Sequence, residues 1–318
     1  MRDPLYDRLH GSITALVSPF RNGRLDEAAL AAMVERQILR GTRALVACGS
    51  TGEAAMLSLS EHIRLIRLVA TVAAGRVPVI AGCTAMATDV ARTRAMAAAR
   101  AGADALLLAA PPYVKPTQGG IVAHVRAVAG ATDLPVVLYD VPSRVGVAIT
   151  DATVETLHAQ GLVVALKDAT GDLSRPARLR GLCGPRLRQL TGEDGLAAAY
   201  RMMGGDGCIS VTANLVPTLC AQLHRCWDDG ELAQVSNLRL LLATLHAALF
   251  LESNPIPVKA ALAALGLCAD IVRAPLTPAI STTRAALQAA MNSVMAEEDA
   301  LARACSPPKL KLVGRGSP

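Results

Sequence analysis

One pattern recurs along this 318-residue chain: a short aliphatic run, a turn, then an Ala/Leu/Arg-rich helical stretch. Candidate strands lie at 12–17, 44–48, 78–82, 105–109, 135–139, 163–167, 187–191 and 208–211. Helical patterns fill 26–40, 60–74, 88–101, 117–130, 150–160, 174–182, 194–203 and 215–228 between and after them. Ser60 before Glu61 and Thr150 before Asp151 read as helix starts, because a hydroxyl accepts from the free N–H groups of a first turn. Gly41, Gly75, Gly102, Gly130 and Gly161 read as helix stops. Strands alternating with helices specify either a closed parallel barrel or an open doubly wound sheet. The count of eight, the even spacing and the lack of a GxGxxG after the first strand select the barrel. The expected fold is therefore α/β, an eight-stranded parallel (β/α)8 TIM barrel. Beyond residue 230 only helical patterns follow, at 231–251, 255–265 and 278–297. This predicts a barrel over 1–230, a C-terminal helical domain over 231–300 and a flexible tail over 301–318.

Composition narrows the function classes. Hydrophobic residues make up 52% of the chain, so a large core can be buried. The net charge of +6 comes from scattered Lys and Arg, and aromatics are only 2%, which argues against a nucleic-acid platform. The longest apolar stretch, 240–251, contains His246 and is too short to span a bilayer. The N-terminal MRDPLYDRLHG has no apolar segment of the signal-peptide kind. Eight cysteines form no CxxC pair, and six histidines form no HxxxH or HExxH spacing. The expectation is a cytoplasmic protein acting on small, anionic molecules, with neither membrane nor nucleic acid as a partner.

In a barrel of this kind chemistry gathers at the C-terminal strand ends. After the second strand stands CGSTGE, where Ser50 and Thr51 offer hydroxyls and backbone donors between glycines. Those residues alone fit an ordinary Gly-rich turn as well as a carboxylate site. Tyr113 follows the fourth strand, and Tyr139 ends the fifth, with Arg144 close behind. The chain has only four tyrosines, so two at strand ends are notable, although a core Tyr with a satisfied hydroxyl is an equally physical reading. Lys167 ends the sixth strand, on the same face as Ala165 and Val163, while Tyr139 shares a face with Val137. If that face lines the barrel, amine and phenol are neighbours at its mouth. A desolvated amine there can attack a ketone and form an imine. The competing reading pairs Lys167 with Asp168 or Glu193. Gly192 and Glu193 follow the seventh strand, and Ile209 lies on the eighth.

The motifs GSTGE, YVKPTQ, LYDVPSRVG, LKDATG, GGDGCISVTAN and NPIPVKAAL occur in that order between about residues 11 and 295. In order and spacing they resemble the class I pyruvate-dependent aldolases, and among these the dihydrodipicolinate synthase family. The resemblance implies a barrel with a C-terminal helical domain, assembled as a homotetramer of two tight dimers. It implies pyruvate and L-aspartate 4-semialdehyde as substrates, condensed to 4-hydroxy-tetrahydrodipicolinate in lysine and diaminopimelate biosynthesis. Lys167 would form the imine with pyruvate. Tyr139, placed by Thr51, would move protons, and Ser50 would link it to Tyr113 of the neighbouring subunit. Backbone amides at Ser50 and Thr51 would hold the pyruvate carboxylate. Arg144 would hold the semialdehyde carboxylate, and Gly192 and Ile209 would line the pocket. No cofactor or metal is implied, because the imine serves as the electron sink.

The chain also departs from that family. The synthases usually carry two threonines where Ser50 and Thr51 stand, and a Ser–Thr pair also matches N-acetylneuraminate lyases. A sialic-acid or keto-sugar-acid aldolase is therefore the alternative enzyme, and a keto-acid-binding protein without catalysis is the third reading. Arg144 and Tyr113 favour the synthase. Asp140 stands where many synthases have asparagine, and the sequence assigns it no role. The residues that hold lysine in feedback-sensitive members are replaced by Leu59, Met86, Val90 and Pro112, with only His62 kept, so weak inhibition by lysine is expected.

Overall fold

In the computed structural model, which describes residues 5–305, parallel strands close into a barrel. They are β1 (Gly11–Ala15), β2 (Ala44–Ala47), β3 (Val79–Gly82), β4 (Ala105–Ala109), β5 (Val136–Asp140), β6 (Val163–Asp168), β7 (Arg188–Thr191) and β8 (Gly207–Ser210). Each pairs with the next in sequence, and β8 returns to β1 with Gly11 opposite Gly207. That seam needs a glycine, since a Cβ on Gly207 would stand 2.3 Å from the Gly11 carbonyl oxygen. The strands are buried on both faces, inside by barrel side chains and outside by helices, which explains their continuous rather than alternating apolar character.

The surrounding helices are α1 (Glu27–Leu39), α2 (Leu59–Ala73), α3 (Thr88–Arg100), α4 (Gln118–Ala129), α5 (Asp151–Ala159), α6 (Arg175–Cys183), α7 (Ala197–Met202) and α8 (Pro217–Asp228). Thr150 caps α5 as expected, its hydroxyl accepting from Thr153 N. The start of α2 differs from the sequence reading. Ser58, not Ser60, is the cap, and it forms a reciprocal capping box with Glu61. A two-stranded antiparallel ribbon, Phe20–Arg21 with Arg24–Leu25, and a single helical turn, Pro142–Val145, were not foreseen. Both are too short to carry a periodic signal.

Three further helices complete the described chain: α9 (Leu232–Ala248), α10 (Ile256–Ala264) and α11 (Ser281–Cys305). The last runs eight residues past the expected 278–297 and takes in the first residues of the expected tail; the remainder, 306–318, lies outside the described residues. These helices pack on α8 around Leu219, Leu245, Leu262, Leu287 and Val294. Fully buried Glu298 of α11 accepts from Thr218 N and Leu219 N, so its carboxylate caps the positive end of α8 and fixes the two layers to each other. The connection between α9 and α10 is thereby carried over the barrel mouth, where Asn254 meets residues of two barrel loops.

Candidate active site

A cleft of about 580 Å³ opens at the C-terminal strand ends, lined among others by Gly49, Ser50, Tyr139, Arg144 and Asn254. Its floor owes its shape to a close approach: a Cβ on Gly82 would stand 1.9 Å from the Cys48 carbonyl oxygen. Only glycine lets the end of β3 approach the loop that presents Ser50 and Thr51.

Strand register brings the two central residues together. Tyr139 on β5 pairs with Lys167 on β6, and Val137 pairs with Ala165, as the shared-face argument expected. Lys167 is 6% exposed, and its Nζ sits 4.3 Å from the centroid of the Tyr139 ring. Among the described residues Lys167 makes no ion pair. The competing reading of Lys167 is thus overturned. Asp168, one residue on, faces the opposite side of the sheet, where Arg175 holds it at 3.4 Å. Glu193 acts on Lys167 only through space, and burial raises its carboxyl above the usual range, reinforced by neighbouring Asp194. Gly192 lies against the lysine, since a Cβ there would come within 3.0 Å of Lys167 Cε. Ile209 is fully buried on β8, in the barrel core.

Thr51 is buried, and its Oγ1 accepts a 2.9 Å hydrogen bond from Asn254 Nδ2. Among the described residues no hydrogen bond joins Ser50, Thr51 and Tyr139 to one another, so the expected hydroxyl relay is not closed here. Arg144 stands exposed at the rim, and its Nη2 donates to the Asn254 carbonyl at 3.0 Å. Tyr113 is not brought to the other site residues of its own chain. It is 86% exposed, with a positive φ of 72°, and the next residue, Val114, is exposed as well. Cys48 borders the cleft, but burial pushes its thiol far above the usual range, which removes it as a nucleophile.

Two supports escaped the sequence reading. Asn254 ties the α9–α10 connection to both Thr51 and Arg144. Behind the same loop, fully buried Lys259 of α10 donates to Glu53 Oε1 at 2.6 Å and to the Ser18 carbonyl at 2.8 Å. Glu53 has φ 56° and ends the GSTGE motif, so this pair fastens the loop that carries Ser50 and Thr51. The motif NPIPVKAAL held both residues, but as letters it does not say which loop they meet.

Residues 8–294 match the model of the Dihydrodipicolinate synthetase family. The chain is 48% identical over 281 residues to a 4-hydroxy-tetrahydrodipicolinate synthase of Rhodospirillum centenum, covering 88% of this chain and 97% of the relative. The solved 4-hydroxy-tetrahydrodipicolinate synthase of Methylacidiphilum fumariolicum superposes with a TM-score of 0.89 at 34% identity, over 94% of this chain and all of that one. A dihydrodipicolinate synthase of Acinetobacter baumannii, solved in complex with pyruvate, superposes with a TM-score of 0.87 at 40% identity, over 90% and 98% of the two chains.

Proposed function

This chain belongs to the dihydrodipicolinate synthetase family, and from that premise we propose that it condenses pyruvate with L-aspartate 4-semialdehyde to 4-hydroxy-tetrahydrodipicolinate, through an imine on Lys167. The observation that carries this reading is the buried amine of Lys167, free of any carboxylate among the described residues and 4.3 Å from the Tyr139 ring. Attack of Nζ on the pyruvate ketone forms the C–N bond, and the ketone oxygen leaves as water after receiving protons by way of Tyr139. Loss of a methyl proton then gives an enamine, whose carbon attacks the aldehyde. The amine of the semialdehyde finally displaces Lys167, closing the ring and freeing the enzyme.

The remaining residues fit parts in this sequence. Backbone amides at Ser50 and Thr51 receive the pyruvate carboxylate, and Gly192 leaves room beside the lysine chain. Arg144 at the rim selects an aldehyde bearing a carboxylate, because a guanidinium fork matches that group in geometry and charge. Tyr113 completes the proton path of a second subunit, and its exposure together with that of Val114 supports a tight dimer; two such dimers form the proposed homotetramer. The compartment is read as the cytoplasm, from the composition and cysteine usage. Leu59, Met86, Val90 and Pro112 offer lysine no partner for its charges, so lysine inhibits weakly; half-inhibition below 1 mM in a steady-state assay refutes this.

The test of the reaction is pyruvate consumption by purified protein with aspartate semialdehyde, beside Lys167→Ala. Consumption that disappears in the variant supports both the reaction and the nucleophile. No consumption, but release of pyruvate from a sialic or keto-sugar acid, replaces the substrate assignment and leaves the imine in place.

A further inference from the structure

The side of the barrel wall behind the reacting pair carries an unusual concentration of buried charge. Asp140 and Asp168 directly follow Tyr139 and Lys167, and like them they stand opposite each other in the β5–β6 register. Successive strand residues point to opposite faces, so both carboxylates leave the barrel interior and enter the layer beneath α6. Two buried carboxylates facing each other across a parallel pair repel, and that repulsion acts on the two strand ends that present the amine and the phenol.

Arg175, the first residue of α6, answers both. It is 3% exposed, and Asp140 is fully buried. Its Nη1 lies 2.7 Å from Asp140 Oδ2 and 3.4 Å from Asp168 Oδ1. Its Nε meets Asp151 at 2.9 Å, and its Nη2 donates to the Ile149 carbonyl at 2.7 Å. The carboxylates have further donors. Asp140 accepts from Ile149 N at 3.2 Å, and Asp168 from Thr170 N at 2.9 Å. One planar guanidinium thus bridges two adjacent strand ends and the start of α5. A lysine could not make these contacts at once.

The geometry points to Arg175 as a positioning residue for the imine chemistry: by joining Asp140 and Asp168 it holds Lys167 and Tyr139 at the separation the reaction needs. This rests on the reading of Lys167 and Tyr139 as the reacting pair. Arg175 itself lies behind the sheet and touches no substrate. Asp140, left without a role by the sequence, becomes the second anchor. Because the clamp works by charge balance, its loss is repairable: removing one carboxylate removes the repulsion that the missing guanidinium had countered.

The experiment compares Arg175→Met, Asp140→Asn, the double variant and Arg175→Lys, each checked for folding by circular dichroism. The readouts are kcat, KM for both substrates and the rate of borohydride-trapped pyruvate adduct. Arg175→Met is expected to lower kcat and trapping by about 30-fold, within what a small displacement of reacting groups costs, while KM changes less than about threefold. Asp140→Asn alone keeps an oxygen for Arg175 to meet and is expected to lower kcat by about fivefold, less than Arg175→Met; added to Arg175→Met it recovers part of the lost kcat, to within about fivefold of the single Asp140→Asn variant. Arg175→Lys, which keeps the charge, loses only about fivefold. A folded Arg175→Met with wild-type kcat overturns the assignment, as does a loss that Asp140→Asn does not relieve. Should Arg175→Met not fold, Arg175→Lys decides alone: unchanged kcat and trapping in a folded protein overturn the role. Wild-type trapping in the same series tests the underlying reading separately, since its failure removes the imine itself, whatever the variants do.

Discussion

Two lysines of this chain are buried against aromatic rings, and they are buried in opposite ways. Lys259 Nζ sits 4.3 Å from the Phe20 ring centroid, and Lys167 Nζ sits 4.3 Å from the Tyr139 ring centroid. Lys259 is otherwise fully partnered, by Glu53 and by the Ser18 carbonyl. Burial lowers its pKa below the usual lysine range, and Glu53 opposes that shift. Among the described residues Lys167 has the ring and no ion pair. A buried cation with a carboxylate at 2.6 Å is a structural clasp. A buried amine without one is not tied to a structural partner, which leaves it open to an incoming carbonyl. Burial alone therefore does not distinguish the two lysines; the partner beside each amine does.

Matched substitutions can break this contrast, and the largest effect falls on activity. Lys167→Met should lower turnover by on the order of 10³-fold or more and abolish borohydride trapping, while the melting temperature stays level or rises, since no partner is orphaned. A clear fall in melting temperature would mean that Lys167 is a clasp after all. The next effect is on stability. Lys259→Met strands the Glu53 carboxylate in the interior and should cost about 3–5 kcal/mol in denaturant unfolding, with Glu53→Gln added to it restoring much of the loss. If Lys259→Met is neutral, the pair is no clasp.

Smaller effects sharpen the boundary between support and chemistry. Asn254→Ala removes the donor to Thr51 but spares the bond from Arg144, which goes to the Asn254 main chain. We expect about a tenfold lower kcat for about 1 kcal/mol of stability. An unchanged kcat would confine Asn254 to holding the segment. Least affected is the outer copy of the clasp, Glu61 with Arg273, whose main-chain N–H also donates to Glu53. The Arg273 guanidinium holds the Glu61 carboxyl down at about 2. A carboxyl depressed in the folded state contributes stability above its unfolded value, and that contribution fades as pH falls from about 4.5 toward 2. Glu61→Gln should thus cost about 1 kcal/mol at pH 7 and nothing near pH 2, as thermal melts across that range would record.

The features legible in the amino-acid chain were local and periodic. Eight alternations of strand and helix, the residue at each strand end and the order of the loop motifs were all legible, because a strand's faces and a helix's stops depend on near neighbours. Lys167 and Tyr139 could be placed on one face from the two-residue period alone. Ser58 was legible too, since a capping box needs its Glu three residues on, and Ser60 was simply the wrong serine of two. Which side chain holds which emerged only in the folded molecule. Asn254 meets Thr51 across 203 residues, and Lys259 meets Glu53 across 206. No periodicity spans such distances. Asp168 looked like the natural partner of Lys167 because it is adjacent in sequence. In the sheet, adjacency is the reason it is not: neighbouring side chains point to opposite faces, and Arg175 waits on the other side. The chain specifies its elements through short-range stereochemistry, whereas these distant partners meet only when the C-terminal helices pack against the barrel.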